Sequence, residues 1–247
     1  MNTFDERRHL GRGTAIGLLT GAVGTFLGSR VLGASAEIGG AACTTTPEGE
    51  IGPYFTDDSP AAFNRSAIVS NVDGSGRQPG IPLTLHVRVS DTKASCGPIS
   101  GAQIDIWHCN ALGVYSGEAS EGTASQTWLR GEQLTDAHGM VTFRTIIPGW
   151  YQGRATHIHL RIRSKYGSAS STDDGSNTTQ LFFPQAAIDT IHTRFAPYSA
   201  RGANPTTNAA DHVYRPQTGG RTELSLSGSA STGFIASAVI GLPITES

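Results

Sequence analysis

Four short segments of this chain alternate apolar and polar residues at a period of two, and that rhythm limits the folds open to it. Leu83, Leu85, Val87 and Val89 alternate with Thr84, His86 and Arg88, and Ala102, Ile104 and Ile106 with Gln103, Asp105 and Trp107. Val141, Phe143 and Thr145 repeat the pattern, as do Ile158, Leu160 and Ile162 against His157, His159, Arg161 and Arg163. Successive side chains of a strand point to opposite faces, so each segment reads as a strand with one apolar face. Shorter runs at Gln180 to Pro184, Thr222 to Ser227 and Phe234 to Ile240 read as further strands, and only Gln185 to Thr193 suggests a helix. Between them lie turn-rich stretches, including a polar loop over 164 to 179. Many short strands with such connections predict an all-β sandwich of mostly antiparallel strands, with long loops and little helix.

The chain divides into three parts. Residues 1–36 read as a targeting segment: Arg7 and Arg8 precede an uncharged run from Gly13 to Gly28, and Ala34-Ser35-Ala36 suits cleavage. The run falls short of the roughly 20 apolar residues of a comfortable membrane span, so no stable span is expected in the mature chain. The paired arginines, followed by His9, Leu10, Gly11 and Arg12, resemble a bacterial twin-arginine signal. They predict export to the periplasm or beyond, with an uncleaved anchor as the alternative. Residues 37–80 lack periodicity and read as an extended arm, and 81–247 form the sandwich.

Beyond a membrane a disulfide can persist, and Cys43, Cys96 and Cys109 allow one bridge with one thiol left over. Cys96 and Cys109 flank a turn and a strand that can bring them together, but pairing of either with Cys43 stays open. A formal net charge of -2 leaves no basic surface for a phosphate backbone, so no nucleic-acid partner is expected. The sequence leaves the oligomeric state open.

The chemistry concentrates in Gly149 to Ile162, GWYQGRATHIHLRI. His157 and His159 share the polar face of their strand, where they suit either a metal ion or a wet groove. Tyr151 and Arg154 stand just before them. Tyr115, in a loop bracketed by Gly113 and Gly117, is either a packing residue or a second phenolic ligand. Two imidazoles and two phenolates form a hard, anionic set suited to a trivalent ion such as ferric iron. Zinc hydrolases more often complete a His-x-His pair with a third histidine or a carboxylate, and no Asp or Glu occurs between His157 and Asp173. In the arm, Tyr54 and Phe55 either pin it to the core or border a pocket. His86 and His138 read as an exposed strand residue and a solvated turn residue. Two rival readings are a zinc hydrolase on the histidine pair and a non-catalytic sandwich that binds aromatics or glycans on Trp107, Trp128 and Trp150.

Four blocks in fixed order, PEGEIGPYF, GAQIDIWHCNALGVYSG, PGWYQGRATHIHLRI and TQLFFP, together resemble the intradiol ring-cleavage dioxygenases, and especially their exported branch. The resemblance runs from about Cys43 to Gly202. It implies that Tyr115, Tyr151, His157 and His159 hold one non-haem Fe(III), with Tyr151 and His159 axial. It also implies that Arg154 and Gln180 line a pocket for a catechol-type substrate. The implied reaction uses O2 to open the ring between the two hydroxylated carbons, giving a cis,cis-muconate-type diacid. The arm departs from the family pattern, since EIGPYF lacks the second acid that many members carry directly before Gly-Pro. The spacing from Tyr151 to His157 is also short.

Overall fold

The computed structural model describes residues 44–56, 61–163 and 177–244. The expected targeting segment, Cys43 and most of the 164–179 loop lie outside them. Among the described residues nine strands and one α-helix follow in order: β1 (Pro82–Asp91), β2 (Gly97–Pro98), β3 (Gln103–Trp107), β4 (Arg130–Leu134), β5 (Met140–Ile146), β6 (His157–Arg163), β7 (Asn177–Phe182), α1 (Gln185–Arg194), β8 (Ser225–Ser229) and β9 (Gly233–Leu242). The polar stretch expected as loop to residue 179 thus becomes strand at Asn177, because its backbone pairs with β6.

The strands form two sheets. One runs β2-β1-β9-β8, with β5 also paired to β1, and the other β4-β3-β6-β7. Every strand pair is antiparallel except β1 with β9, which run parallel. Leu83, Leu85, Val87, Val89 and Phe143 from the first sheet meet Ile104, Ile106, Ile158, Leu160 and Ile162 from the second in one buried cluster. These are the residues of the period-two apolar faces, so burying them is what drives the two sheets together. Among the described residues no helix is long and apolar enough to cross a membrane.

Two readings stood open for the polar face of β6, a metal ion or a wet groove, and the second does not hold. The face of β6 that carries His157 and His159 is not a wet surface: both histidines are buried, as is Arg163, with only Arg161 partly exposed. Buried polar groups are tolerated only when paired. Arg163 meets that condition through Asp105, with Nε 3.0 Å and Nη2 2.8 Å from its carboxylate oxygens. His86 is only half-buried and its Nδ1 lies 2.9 Å from Thr142 Oγ1; His138 is exposed. Cys96 is disulfide-bonded and Cys109 is a buried free thiol, which excludes a bridge between those two.

Candidate metal centre

The second sheet sets the site. Strand register aligns Arg130 on β4, Trp107 on β3, His159 on β6 and Gln180 on β7 in one row across four strands. The Trp107 indole stacks flat on the His159 imidazole, with centroids 4.9 Å apart and planes 6° from parallel. From above, the arm presses on the same ring: a β-carbon placed on Gly52 would stand 2.8 Å from His159 Cε1, and Gly52 has φ +74°. Only glycine combines that backbone with so close an approach. His159 is thereby confined by the Trp107 indole on one face and by the Gly52 backbone at Cε1.

Two residues earlier, His157 is fixed by its own backbone. Its Nδ1 lies 2.6 Å from the Ala155 carbonyl. A carbonyl can only accept, so Nδ1 carries the proton and Nε2 presents a lone pair. That lone pair points at His159 Nε2, 3.0 Å away, and at the Tyr151 hydroxyl, 3.3 Å away.

The tyrosines arrive on loops. Tyr151 follows the end of β5, where the Tyr198 hydroxyl donates to Ile147 O at 2.7 Å and the Trp150 indole donates to Gly202 O at 2.9 Å. The loop bearing Tyr115 packs against it at Gly113, where φ is +83° and a β-carbon would come within 2.1 Å of Trp150 O. Within that loop Tyr115 N donates to Glu121 Oε2 at 2.7 Å, and Thr123 Oγ1 donates to Tyr115 O at 2.6 Å. The Tyr115 and Tyr151 rings meet edge-on at 5.6 Å, and Tyr115 lies 6.2 Å from the His159 ring. Half-buried Tyr54 stacks on Tyr115 with centroids 4.2 Å apart and touches Tyr151 edge-on at 5.9 Å. Arg130 ties these parts together, donating to Tyr54 O at 2.7 Å and, from Nη2, to Ser116 O at 2.7 Å.

The donor set fits a metal cation. Two nitrogen ligands about 2.1 Å from one ion at right angles are about 3 Å apart, and the facing Nε2 atoms of His157 and His159 have that separation. The Tyr115 hydroxyl is buried beside the Tyr151 phenol with no partner in normal hydrogen-bond geometry. Burial, reinforced by Arg154, pushes His157 down to about 3, and burial with its neighbour His157 holds His159 well below the usual imidazole range. Both rings are therefore neutral ligands at physiological pH. Burial also raises the phenols, Tyr151 to about 12 despite Arg154 nearby, and Tyr115 well above its ordinary value with the Tyr151 phenol adding to the effect. Neither phenol gives up its proton unaided. A strongly charged cation at the convergence point would take the proton's place.

Around the donors, Arg154 and Gln180 are joined directly: Arg154 Nη2 donates to Gln180 Oε1. The Gln180 amide donates to Glu50 O in the arm at 2.8 Å. Arg154 is buried and pairs with Asp211, its Nε 2.9 Å from Oδ2. Removing one member of such a buried pair costs about 3–5 kcal/mol because the other charge is left uncompensated.

The fold therefore brings together all seven candidate residues: Tyr54, Tyr115, Tyr151, Arg154, His157, His159 and Gln180. Sequence reasoning missed Asp211, Arg130 and Gly52. Only Gly52 left a signal, as the Gly-Pro turn beside Tyr54. The rival readings gain nothing. Among the described residues no group of three or more His, Cys, Asp or Glu is placed to hold a metal, so no carboxylate completes a zinc site. Trp107 and Trp128 are buried, and the half-buried Trp150 has the Arg201 guanidinium 4.4 Å over its ring.

Residues 51–191 match a protein-family model described as Dioxygenase. The chain is 30% identical to a catechol 1,2-dioxygenase of Pseudomonas sp. (strain EST1001), an alignment that covers 64% of this chain and 51% of the relative. With a chlorocatechol 1,2-dioxygenase of Rhodococcus opacus it shares 29% identity, over 53% of this chain and 54% of the relative. The chain thus spans about half the length of these curated relatives. Among solved structures it resembles an intradiol ring-cleavage dioxygenase from Tetranychus urticae, with TM-score 0.68 and 27% identity, covering 83% of this chain and 98% of that one. It also resembles the dioxygenase domain of a carbohydrate-binding fusion protein from Streptomyces sp. SirexAA-E, with TM-score 0.58 and 27% identity, over 82% and 100% of the two chains.

Proposed function

The chain belongs to the intradiol ring-cleavage dioxygenase family, and from that premise we propose that it is a non-haem Fe(III) enzyme opening catechol-type rings with O2. The convergence of two phenols and two neutral imidazoles on one point carries this reading. Tyr115, Tyr151, His157 and His159 would hold the ion. When bound, ferric iron would supply a Lewis acid that polarises a catechol-type ring toward O2.

The protein's own groups have separable tasks. Tyr151 is partly buried, and as the phenolate that a bound cation would make of it, it can accept a proton from an arriving catechol hydroxyl. The Arg154 guanidinium sets a fixed positive charge beside the pocket, where negative charge on the ring is stabilised without reorganisation. Gln180 is oriented by bonds at both ends of its amide and orients the substrate. Tyr54, stacked over Tyr115, forms an apolar wall that excludes water from the reacting face. The product is a cis,cis-muconate-type diacid holding both atoms of O2.

The disulfide at Cys96 supports the export reading, since such bonds persist outside the reducing cytosol. Cytoplasmic protein that retains Met1 would count against export. For the activity, purified protein loaded with Fe(III) is expected to show a visible tyrosinate-to-iron band that shifts when catechol is added, together with O2 uptake. A colourless protein that consumes no O2 with any catechol overturns the reading.

A further inference from the structure

We infer that Asp211 is a positioning residue of this site, holding Arg154 against Gln180 and the Ala155 backbone against His157. The inference rests on the ring-cleavage reading. Asp211 is 2% exposed and lies far along the chain from every other site residue, in a segment without strand or α-helix. Its carboxylate is nonetheless surrounded by N–H donors. Oδ2 accepts from Arg154 Nε at 2.9 Å and Ala155 N at 2.8 Å. Oδ1 accepts from Val213 N at 2.8 Å, Tyr214 N at 3.1 Å and, more weakly, Arg154 Nη2 at 3.4 Å.

Two lines of contact leave this carboxylate for the metal centre. One passes through Arg154 to Gln180 and on to Glu50 O, so the arm that meets His159 at Gly52 is tied to the same anchor. The other passes through the Ala155 backbone: its N–H donates to Asp211, and its carbonyl, one peptide further on, accepts from His157 Nδ1. Asn204 adds a bond from its side-chain amide to Arg154 O at 2.9 Å, but it brings no charge.

The charge matters because of what Arg154 would otherwise do. A buried guanidinium without a counter-ion moves toward the nearest anion. Once the metal is bound, those anions are the Tyr151 phenolate and the substrate itself. Asp211 keeps Arg154 beside the pocket and off the phenolate, so its positive charge stays available to the ring. A neutral side chain of the same shape cannot do this.

The test uses full-length, iron-loaded protein with catechol as the probe. Asp211→Asn is expected to fold and hold iron, to lose about 10–100-fold in kcat as outer-shell substitutions do, and to shift the tyrosinate-to-iron band as Arg154 moves onto Tyr151. In an Arg154→Gln background the same change is expected to cost less than about threefold, because the two residues act as one unit. In iron-free protein, NMR of the His157 ring nitrogens is expected to report a loosened Nδ1 bond. Unchanged kcat and band in Asp211→Asn, or an equal loss in both backgrounds, overturns the inference. Should Asp211→Asn fail to fold, Asp211→Glu keeps the charge but displaces Arg154 by one methylene. It is then expected to fold and to lose kcat, and wild-type kcat in it is equally fatal. An inactive, iron-free wild type sinks the ring-cleavage reading, whereas an active wild type with an equally active Asp211→Asn sinks this inference alone.

Discussion

Replacing Gly52 by alanine asks whether the arm is seated on the metal-binding face. The substitution acts in two ways. It forces an L-residue to hold φ +74°, and it drives a methyl group to within 2.8 Å of His159 Cε1. The backbone effect alone costs about 1–2 kcal/mol, and overpacking a rigid neighbour adds about 1–3 kcal/mol. His159 cannot yield easily, because it is fully buried and Trp107 stacks on its ring at 4.9 Å. The sum is about 2–5 kcal/mol, which for a domain of this size is a Tm lowered by about 4–20 °C. Gly153 supplies the control. It has φ +85° with nothing within 4 Å of its built β-carbon, so Gly153→Ala bears the backbone cost alone. Thermal unfolding of both variants, with iron content and KM for catechol, separates the two effects. Gly52→Ala is expected to be the less stable by about 1–3 kcal/mol and to bind iron or catechol more weakly. Equal stability and equal iron binding in the two variants would refute the seating of the arm on His159.

Two further outcomes follow from the site and the core. Tyr115→Phe and His157→Ala are expected to lose iron, read by metal analysis and the visible band, whereas His86→Ala, half-buried on the other sheet, leaves both unchanged. His108 is fully buried, and burial lowers it to about 4. Its folded pKa lies below the unfolded value near 6.5, so its contribution is intact above pH 6.5 and is lost as pH falls toward 4, by up to about 3 kcal/mol. Urea unfolding of iron-free protein at pH 7.5 and pH 5 is expected to show a smaller pH effect in His108→Gln than in wild type. Equal pH effects would exclude that assignment.

The strands were legible because a half-buried strand writes its burial into alternate residues, as Leu83 to Val89 and Ile158 to Ile162 do. The four donors were legible through their chemistry and through the motifs that hold them. What covers them was not. The histidine face of β6 looks polar in sequence and is buried in the fold because the lids, Gly52 to Phe55 and the Tyr115 loop, come from distant parts of the chain. Asp211 was invisible for a related reason. Its role is defined by N–H groups of Arg154 and Ala155, more than fifty positions away, and one aspartate in an aperiodic segment carries no trace of them. Partner choice between strands is equally unwritten, since nothing in Phe234 to Ile240 says that its neighbour is β1.

That pairing governs how the protein can be assembled. Strand β1 joins β9 residue for residue from Leu83 with Phe234 to Asp91 with Leu242, so the middle of the first sheet closes only after nearly the whole chain is available. Closing so long a loop is entropically costly and slow. Until then one edge of β1 is an open row of unpaired amides, ready to join strands of other chains. Chains that end before Gly233 keep that edge for good and are expected to aggregate on expression rather than give a partly active enzyme, even though every residue of the metal centre precedes the cut.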